Sequence, residues 1–145
     1  MSTANAFSVS GWTFGDIPSG WETVPGAGVR RHEKGQFGSN VVVLSDELPF
    51  GETLEAYIQR QCAAMKVKLT DAQFDGPHPQ PFAKAEESLE LSVQHTVEGN
   101  TPIVHLQLYT RRQQKIDVFT LTTNVSEAAQ MKTLFKSILD SLTLS

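Results

Sequence analysis

The side chains here best suited to metal binding or nucleophilic work are four histidines, His32, His78, His95 and His105, and the single cysteine Cys62. No two histidines, and no histidine with Cys62, stand at the spacing of a metal site. The sequence has no nucleophile elbow, P-loop or dinucleotide fingerprint. Gly35-Gln36-Phe37-Gly38 reads as a turn and not a phosphate cradle, because no helix start follows it. Glu86-Glu87 is a carboxylate pair by position, but adjacent strand residues point opposite ways, and the pair reads as a solvated charge cluster. Each histidine reads as structural or surface, and Cys62 as a small buried hydrophobe. No catalytic residue, metal or cofactor is expected, and the chain is not expected to be an enzyme.

The elements around these residues fit one domain, 1–145, in a chain of 145 residues. Charged residues make up 19%, against about 25% in an average protein. Ser, Thr and Gln fill the difference. The net charge of −4 argues against a nucleic-acid partner, which a basic footprint would mark. No stretch reaches the roughly 18 apolar residues of a membrane span, so direct membrane insertion is not expected. Met1 to Val9 has no basic region followed by an apolar one, so no signal peptide is expected. With one cysteine, this points to the cytoplasm.

Along the chain, Phe7 to Val9 and Val29 to His32 read as short strands, flanking an aromatic turn region of Phe14, Ile17, Pro18, Gly20 and Trp21. Val41 to Leu44 is a continuous apolar run that reads as a buried strand. Thr53 reads as the N-cap of a helix whose stripe is Leu54, Tyr57, Ile58, Cys62 and Met65. Gly76 and three prolines in Asp71 to Phe82 exclude helix and central strand, leaving a loop or an edge segment. Alternation from Leu89 to Thr123, broken near Gly99 and Gln113, predicts a three-stranded antiparallel meander. Ser126 reads as the N-cap of a closing helix with the stripe Met131, Leu134, Phe135, Ile138 and Leu142.

A two-residue loop at Gly99-Asn100 would set His95 opposite Val104, Val93 opposite Leu106 and Leu91 opposite Leu108. A loop at Gln113-Gln114 would set Leu108 opposite Phe119. One face then collects the aliphatics, with both helices expected to cover it. His95 and His105 would point to opposite faces. The other face would carry Ser92, Gln94, Thr96, Ile103, His105, Gln107, Tyr109, Ile116, Val118, Thr120 and Thr122, with charges only at Glu90 and Arg111 near the ends. Such a face suits an ordinary hydrated sheet or a surface that lies against another protein.

The N-terminal strand, the Pro-x-Gly-Trp turn (Pro18 to Trp21), the Val-rich strand, the helix reading Tyr57-x-x-Arg60-Gln61, the meander and the closing helix together resemble the PsbP-like fold. Within it, the chain is most similar to the Eag family of type VI secretion chaperones, over about Phe7 to Leu142. The resemblance implies an α+β fold: an antiparallel sheet, two main helices on one face, and the other face concave. It implies a cytosolic homodimer that shields the N-terminal transmembrane helices of a secreted PAAR or Rhs toxin and aids loading onto the VgrG spike. Arg60-Gln61 and Leu106-Gln107-Leu108 match the family's glutamine positions, and its aliphatic groove positions map onto Val43, Leu69 and Ile103. With the charge-poor face, this gives an expected effector groove of Val43, Gln61, Leu69, Ile103, His105, Gln107, Val118 and Thr120. The alternatives are a small-ligand or enzymatic domain using the same cavity, through His105, Tyr109 and Gln107, and an envelope or photosynthetic assembly factor, against which the missing signal and lipobox argue.

Overall fold

In a computed structural model, residues 7–15, 17–31 and 38–144 are described. His32 and the Gly35 to Phe37 part of the expected turn lie outside them. The order of elements is β1 (Phe7–Val9), β2 (Trp12–Phe14), β3 (Trp21–Val24), β4 (Gly28–Arg31), β5 (Asn40–Glu47), α1 (Leu54–Lys68), β6 (Thr70–Pro79), β7 (Glu87–Val97), β8 (Thr101–Arg112), β9 (Lys115–Asn124), α2 (Ala128–Ser141) and β10 (Leu142–Leu144). An antiparallel seven-stranded sheet runs β3-β4-β5-β9-β8-β7-β6, and β1, β2 and β10 form a second, small sheet. The α+β class and the meander expected from the alternation are present.

Local chemistry accounts for the elements. Thr53 caps α1, its Oγ1 accepting from the Ala56 N–H at 3.0 Å. Asp71 to Phe82 does contribute an edge, as strand β6, interrupted by two register shifts and a cis Gly76-Pro77 bond. The closing helix starts differently from expectation. Asn124 and not Ser126 is the cap: its side chain accepts from the Glu127 N–H at 3.0 Å in a 3₁₀ turn that leads into α2. Gly28 permits the close approach of β4 and β5, since a Cβ there would lie 1.9 Å from the Val41 carbonyl oxygen.

The β8–β9 register is the expected one, with Leu108 opposite Phe119 and a two-residue loop at Gln113-Gln114. The β7–β8 register differs by one residue. The loop is three residues long, a 3₁₀ turn over Glu98–Asn100, and Val97 pairs with Thr101. Asn100 takes φ 59°, the left-handed conformation that closes three-residue hairpins. His95 therefore opposes Ile103, Val93 opposes His105 and Leu91 opposes Gln107. A one-residue slip moves every β7 side chain to the other face. Leu91, Val93 and His95 thus share the face of Gln107, while Ser92 and Gln94 share the face of Leu106 and Leu108.

The helices consequently cover opposite faces of the sheet and not one. Against α2 and the small sheet lies a core of Trp12, Phe14, Val41, Val43, Leu106, Leu108, Phe119, Leu121 and Phe135. Against α1 lies a second core of Leu54, Tyr57, Ile58, Cys62, Leu91, Val93, Tyr109, Ile116 and Val118. Cys62 is buried in it, as read from its place on the helical stripe.

The loop's phase can be tested at Asn100. Asn100→Val should lower stability by about 1–2 kcal/mol, because a β-branched residue resists positive φ. Asn100→Gly should hold stability within about 0.5 kcal/mol of the parent. Urea midpoints of the three proteins measure both; equal midpoints for Val and Gly would contradict this geometry.

Candidate functional site

The side chains that carry polar chemistry converge on the α1 face of the three central strands. Strand parity and pairing place Val42 and Leu44 of β5, Val118, Thr120 and Thr122 of β9, and Ile103, His105, Gln107 and Tyr109 of β8 side by side there. No Lys, Arg, Asp or Glu lies within this group. Charges stand around it: Asp46 further along β5, Arg111 further along β8, Arg60 and Glu52 at α1, and Glu22 and Arg30 on β3 and β4, which pair with each other.

Two short hydrogen-bond chains organise the patch. In the first, the Tyr109 hydroxyl donates to Gln107 Oε1 at 2.7 Å, and Gln107 Nε2 donates to Thr120 Oγ1 at 3.4 Å. The amide is thus held in one orientation, with its second N–H unpartnered among the described residues. In the second chain, His105 Nδ1 lies 2.9 Å from Thr122 Oγ1, and His105 Nε2 lies 2.8 Å from His95 Nε2. The two ring planes lie within 14° of each other, with centroids 4.9 Å apart. One Nε2 must carry the proton and the other accept it. The expectation that these histidines point to opposite faces is corrected here, and the reason is the one-residue difference in the β7 phase.

Helix α1 borders the patch. The Tyr57 ring meets the Tyr109 ring edge-on at 6.2 Å, and the Tyr57 hydroxyl donates to Asp46 Oδ2 at 2.7 Å. That bond holds the Asp46 carboxyl below its ordinary range. Burial pushes the Tyr109 hydroxyl well above its usual value, so it stays protonated and donates. Arg60 lies over the Tyr57 ring at 5.1 Å and pairs with Glu52 at 2.7 Å, which fixes the N-terminal half of α1. Gln61 and Leu69 are half-buried on this helix and at its C-cap.

Of the expected groove residues, Ile103, His105, Gln107, Val118 and Thr120 do share one face, with α1 carrying Gln61 and Leu69 at its side. Val43 does not belong with them. It is opposite Phe119 and buried in the α2 core, and the β5 residues on this face are its neighbours Val42 and Leu44. A four-residue apolar run has no alternation from which its parity could be read. Ile103 and Val118 form the floor and offer little accessible area, at 3% and 8% exposure. The open apolar surface is Leu44, which is 64% exposed. Glu86 and Glu87 are not merely solvated: both pair with Arg111, at 3.3 and 3.0 Å.

Sequence reasoning missed Val42, Leu44 and His95 as members of this face. For His95 the signal is the three-residue loop, whose Asn suits a left-handed residue as well as a two-residue turn does; Val42 and Leu44 emerge only from the pairing of β5 with β9. Among the described residues, no group of three His, Cys, Asp or Glu side chains is placed to hold a metal ion. No helix there is long and apolar enough to cross a membrane.

The His105 ring has a pH consequence. Burial, with the neighbouring His95, lowers its pKa from 6.5 to about 4. In the unfolded chain it takes up a proton near pH 6.5, whereas the folded protein resists until about pH 4. Stability should therefore fall as pH drops through that window, by at most about 3 kcal/mol from this residue. Urea unfolding of the parent and of His105→Gln at pH 7, 5.5 and 4.5 measures the difference; it should narrow steadily toward acid pH.

Comparison with known proteins agrees with this architecture. PA94 of Pseudomonas aeruginosa superposes with a TM-score of 0.66 at 16% identity, covering 86% of this chain and 81% of PA94. The cyanobacterial PsbP protein (CyanoP) of Synechocystis gives 0.62 at 18% identity, covering 97% and 91%. The Ran-binding protein Mog1p of Saccharomyces cerevisiae gives 0.60 at 11% identity, covering 92% and 90%. At such identities the likeness is one of fold. A search of curated proteins finds no match. The sequence profile of the DcrB family matches residues 29–141, a span from β4 through the end of α2 that holds the whole patch, and the chain belongs to the DcrB family.

Proposed function

We propose that this protein is an effector chaperone of the Eag type. It would bind the N-terminal transmembrane helices of a PAAR- or Rhs-bearing type VI secretion effector in the cytoplasm, as a homodimer, and aid loading onto the VgrG spike. The observation that carries this reading is Gln107, an oriented amide with an unused N–H in a charge-free patch whose far strand, β5, presents the exposed Leu44. An apolar helix removed from water needs apolar contact and offers backbone carbonyls and Ser or Thr hydroxyls near small residues. Leu44 and Val42 supply apolar contact, and the amide supplies a donor. A carboxylate or ammonium in its place would lose hydration worth several kcal/mol without a partner. Arg60-Gln61 on α1 and Leu106-Gln107-Leu108 on β8, the glutamine positions of the resemblance, bring their amides to neighbouring elements.

Co-expression with the effector's N-terminal segment tests the reading. Gln107→Ala removes one hydrogen bond, and affinity for the segment should fall about fivefold. Leu44→Asp puts a charge on the open surface and should abolish capture, while both variants keep the parent's circular dichroism. Ile103→Asp is a poor test, because that residue is buried and its loss would unfold the chain. Unchanged capture by both Gln107→Ala and Leu44→Asp would refute the proposed surface.

A further inference from the structure

The opposite face of the sheet carries an opening that the proposed function leaves unused. Between α2, strands β7 and β8, and the Gln80 to Phe82 segment lies a cleft of about 480 Å³. A second hollow of about 290 Å³ adjoins it, sharing Glu90, Leu106, Ala129 and Lys132. Protein interiors leave few voids larger than a water molecule, whereas ligand sites span about 300–1,000 Å³. The floor is apolar: Leu106, Leu108, Phe135 and Leu139 are all buried core residues. Phe82, half-buried, closes one side.

Shape selects the occupant. The larger cleft follows α2 from Ala129 to Asp140, a length of about 17 Å at 1.5 Å per residue. Its volume spread over that length leaves a cross-section of about 30 Å², too thin for an α-helix 10–12 Å across and suited to a single extended hydrocarbon chain. Charge selects the head group. Lys132 and Lys136 stand one turn apart on the flank of α2, and Lys84 donates to the Asp140 carbonyl at 3.2 Å beside Phe82. Glu90 and Asp140 also border the cleft, so its lining carries two lysines and two carboxylates in a chain whose net charge is −4. Lys132 reaches Glu90 only at 3.9 Å, and Lys136 has no ion pair among the described residues. Lys136 is thus the cation available to an anion at the mouth.

We infer that the cleft between α2 and strands β7 and β8 is a binding site for a single-chain amphiphile: an acyl chain along Leu106, Leu108 and Leu139, with an anionic head group at Lys136. The site lies across the sheet from Gln107 and stands or falls independently of the chaperone reading.

Dodecanoate at submicellar concentration, titrated into the full chain and followed by methyl NMR, tests it. Saturable shifts should appear at Ala129, Leu106, Leu108 and Leu139. Dodecyltrimethylammonium, with the opposite head group, should bind at least about fivefold more weakly. Ala129→Trp and, separately, Thr133→Trp fill the cleft from exposed helix positions, and each should weaken dodecanoate binding about tenfold or more. Lys136→Glu should erase the preference between head groups. Absence of saturable binding, equal affinity for both amphiphiles, or shifts confined to Val42 and Val118 would overturn the inference. Leu44→Asp should leave dodecanoate affinity unchanged, which separates this result from any failure of the effector surface.

Discussion

A three-residue loop sets the phase of β7 against β8, and the rest of the molecule follows from that phase. With Glu98, Gly99 and Asn100 in the turn, Val97 pairs with Thr101, and Leu91, Val93 and His95 fall on the side of Tyr109. Those aliphatics give α1 something to bury against. In a two-residue loop they would face α2, and α1 would lie over Ser92 and Gln94. The stripe of α1, with Tyr57, Ile58 and Cys62 buried, would then have no apolar partner on the outer strands. The same phase brings His95 to His105 and leaves Ser92 beside the α2 cleft.

The central strands β8 and β9 are consequently covered on both faces. Leu106, Leu108, Phe119 and Leu121 serve the α2 core; Tyr109, Ile116 and Val118 serve the α1 core. Between α1 and the β3–β4 edge, a strip of the second face stays uncovered by either helix. Its side chains include Thr120, Thr122, His105 and Gln107, which satisfy one another laterally through hydrogen bonds. The low charge content of the sequence has a structural counterpart in this strip. Its share is smaller than the sequence suggests, because Ser92, Gln94 and Thr96 lie on the other side of the sheet.

Much of the architecture is legible in the sequence where a local signal is unambiguous. Thr53 with its apolar stripe marks α1, Gln113-Gln114 gives the correct β8–β9 register, and the prolines after Asp71 confine that segment to an edge. The β7 phase is not legible, for a physical reason. Choosing a register by gathering aliphatics on one face presumes that only one face is buried. Here both are, so Leu91 and Val93 read equally well on either. Val43 misleads similarly: within Val41 to Leu44 every residue is apolar, and only pairing with β9 separates Val43 from Val42 and Leu44. The cleft beside α2 has no local signature at all. Its floor is core, its wall is an exposed helix flank, and only their separation in space makes a site.

An uncharged face has to be stable when empty, and the geometry around Gln107 shows how that is achieved. An apolar side chain there would extend the exposed surface of Leu44 and favour aggregation. A carboxylate beside buried Thr120 and Tyr109 would be desolvated, and the cations around the patch, Arg30 and Arg60, already pair with Glu22 and Glu52. The amide avoids both outcomes. Tyr109 and Thr120 satisfy one acceptor and one donor internally, at 2.7 and 3.4 Å, and the remaining N–H can bond to water without disturbing either contact. Orientation is thereby fixed before any partner arrives, so little side-chain entropy is lost on binding. The same logic explains why Tyr109 carries a hydroxyl in a mainly apolar core: a Phe there would pack as well against Tyr57 but would leave the amide oxygen of Gln107 without its donor and free the side chain to rotate.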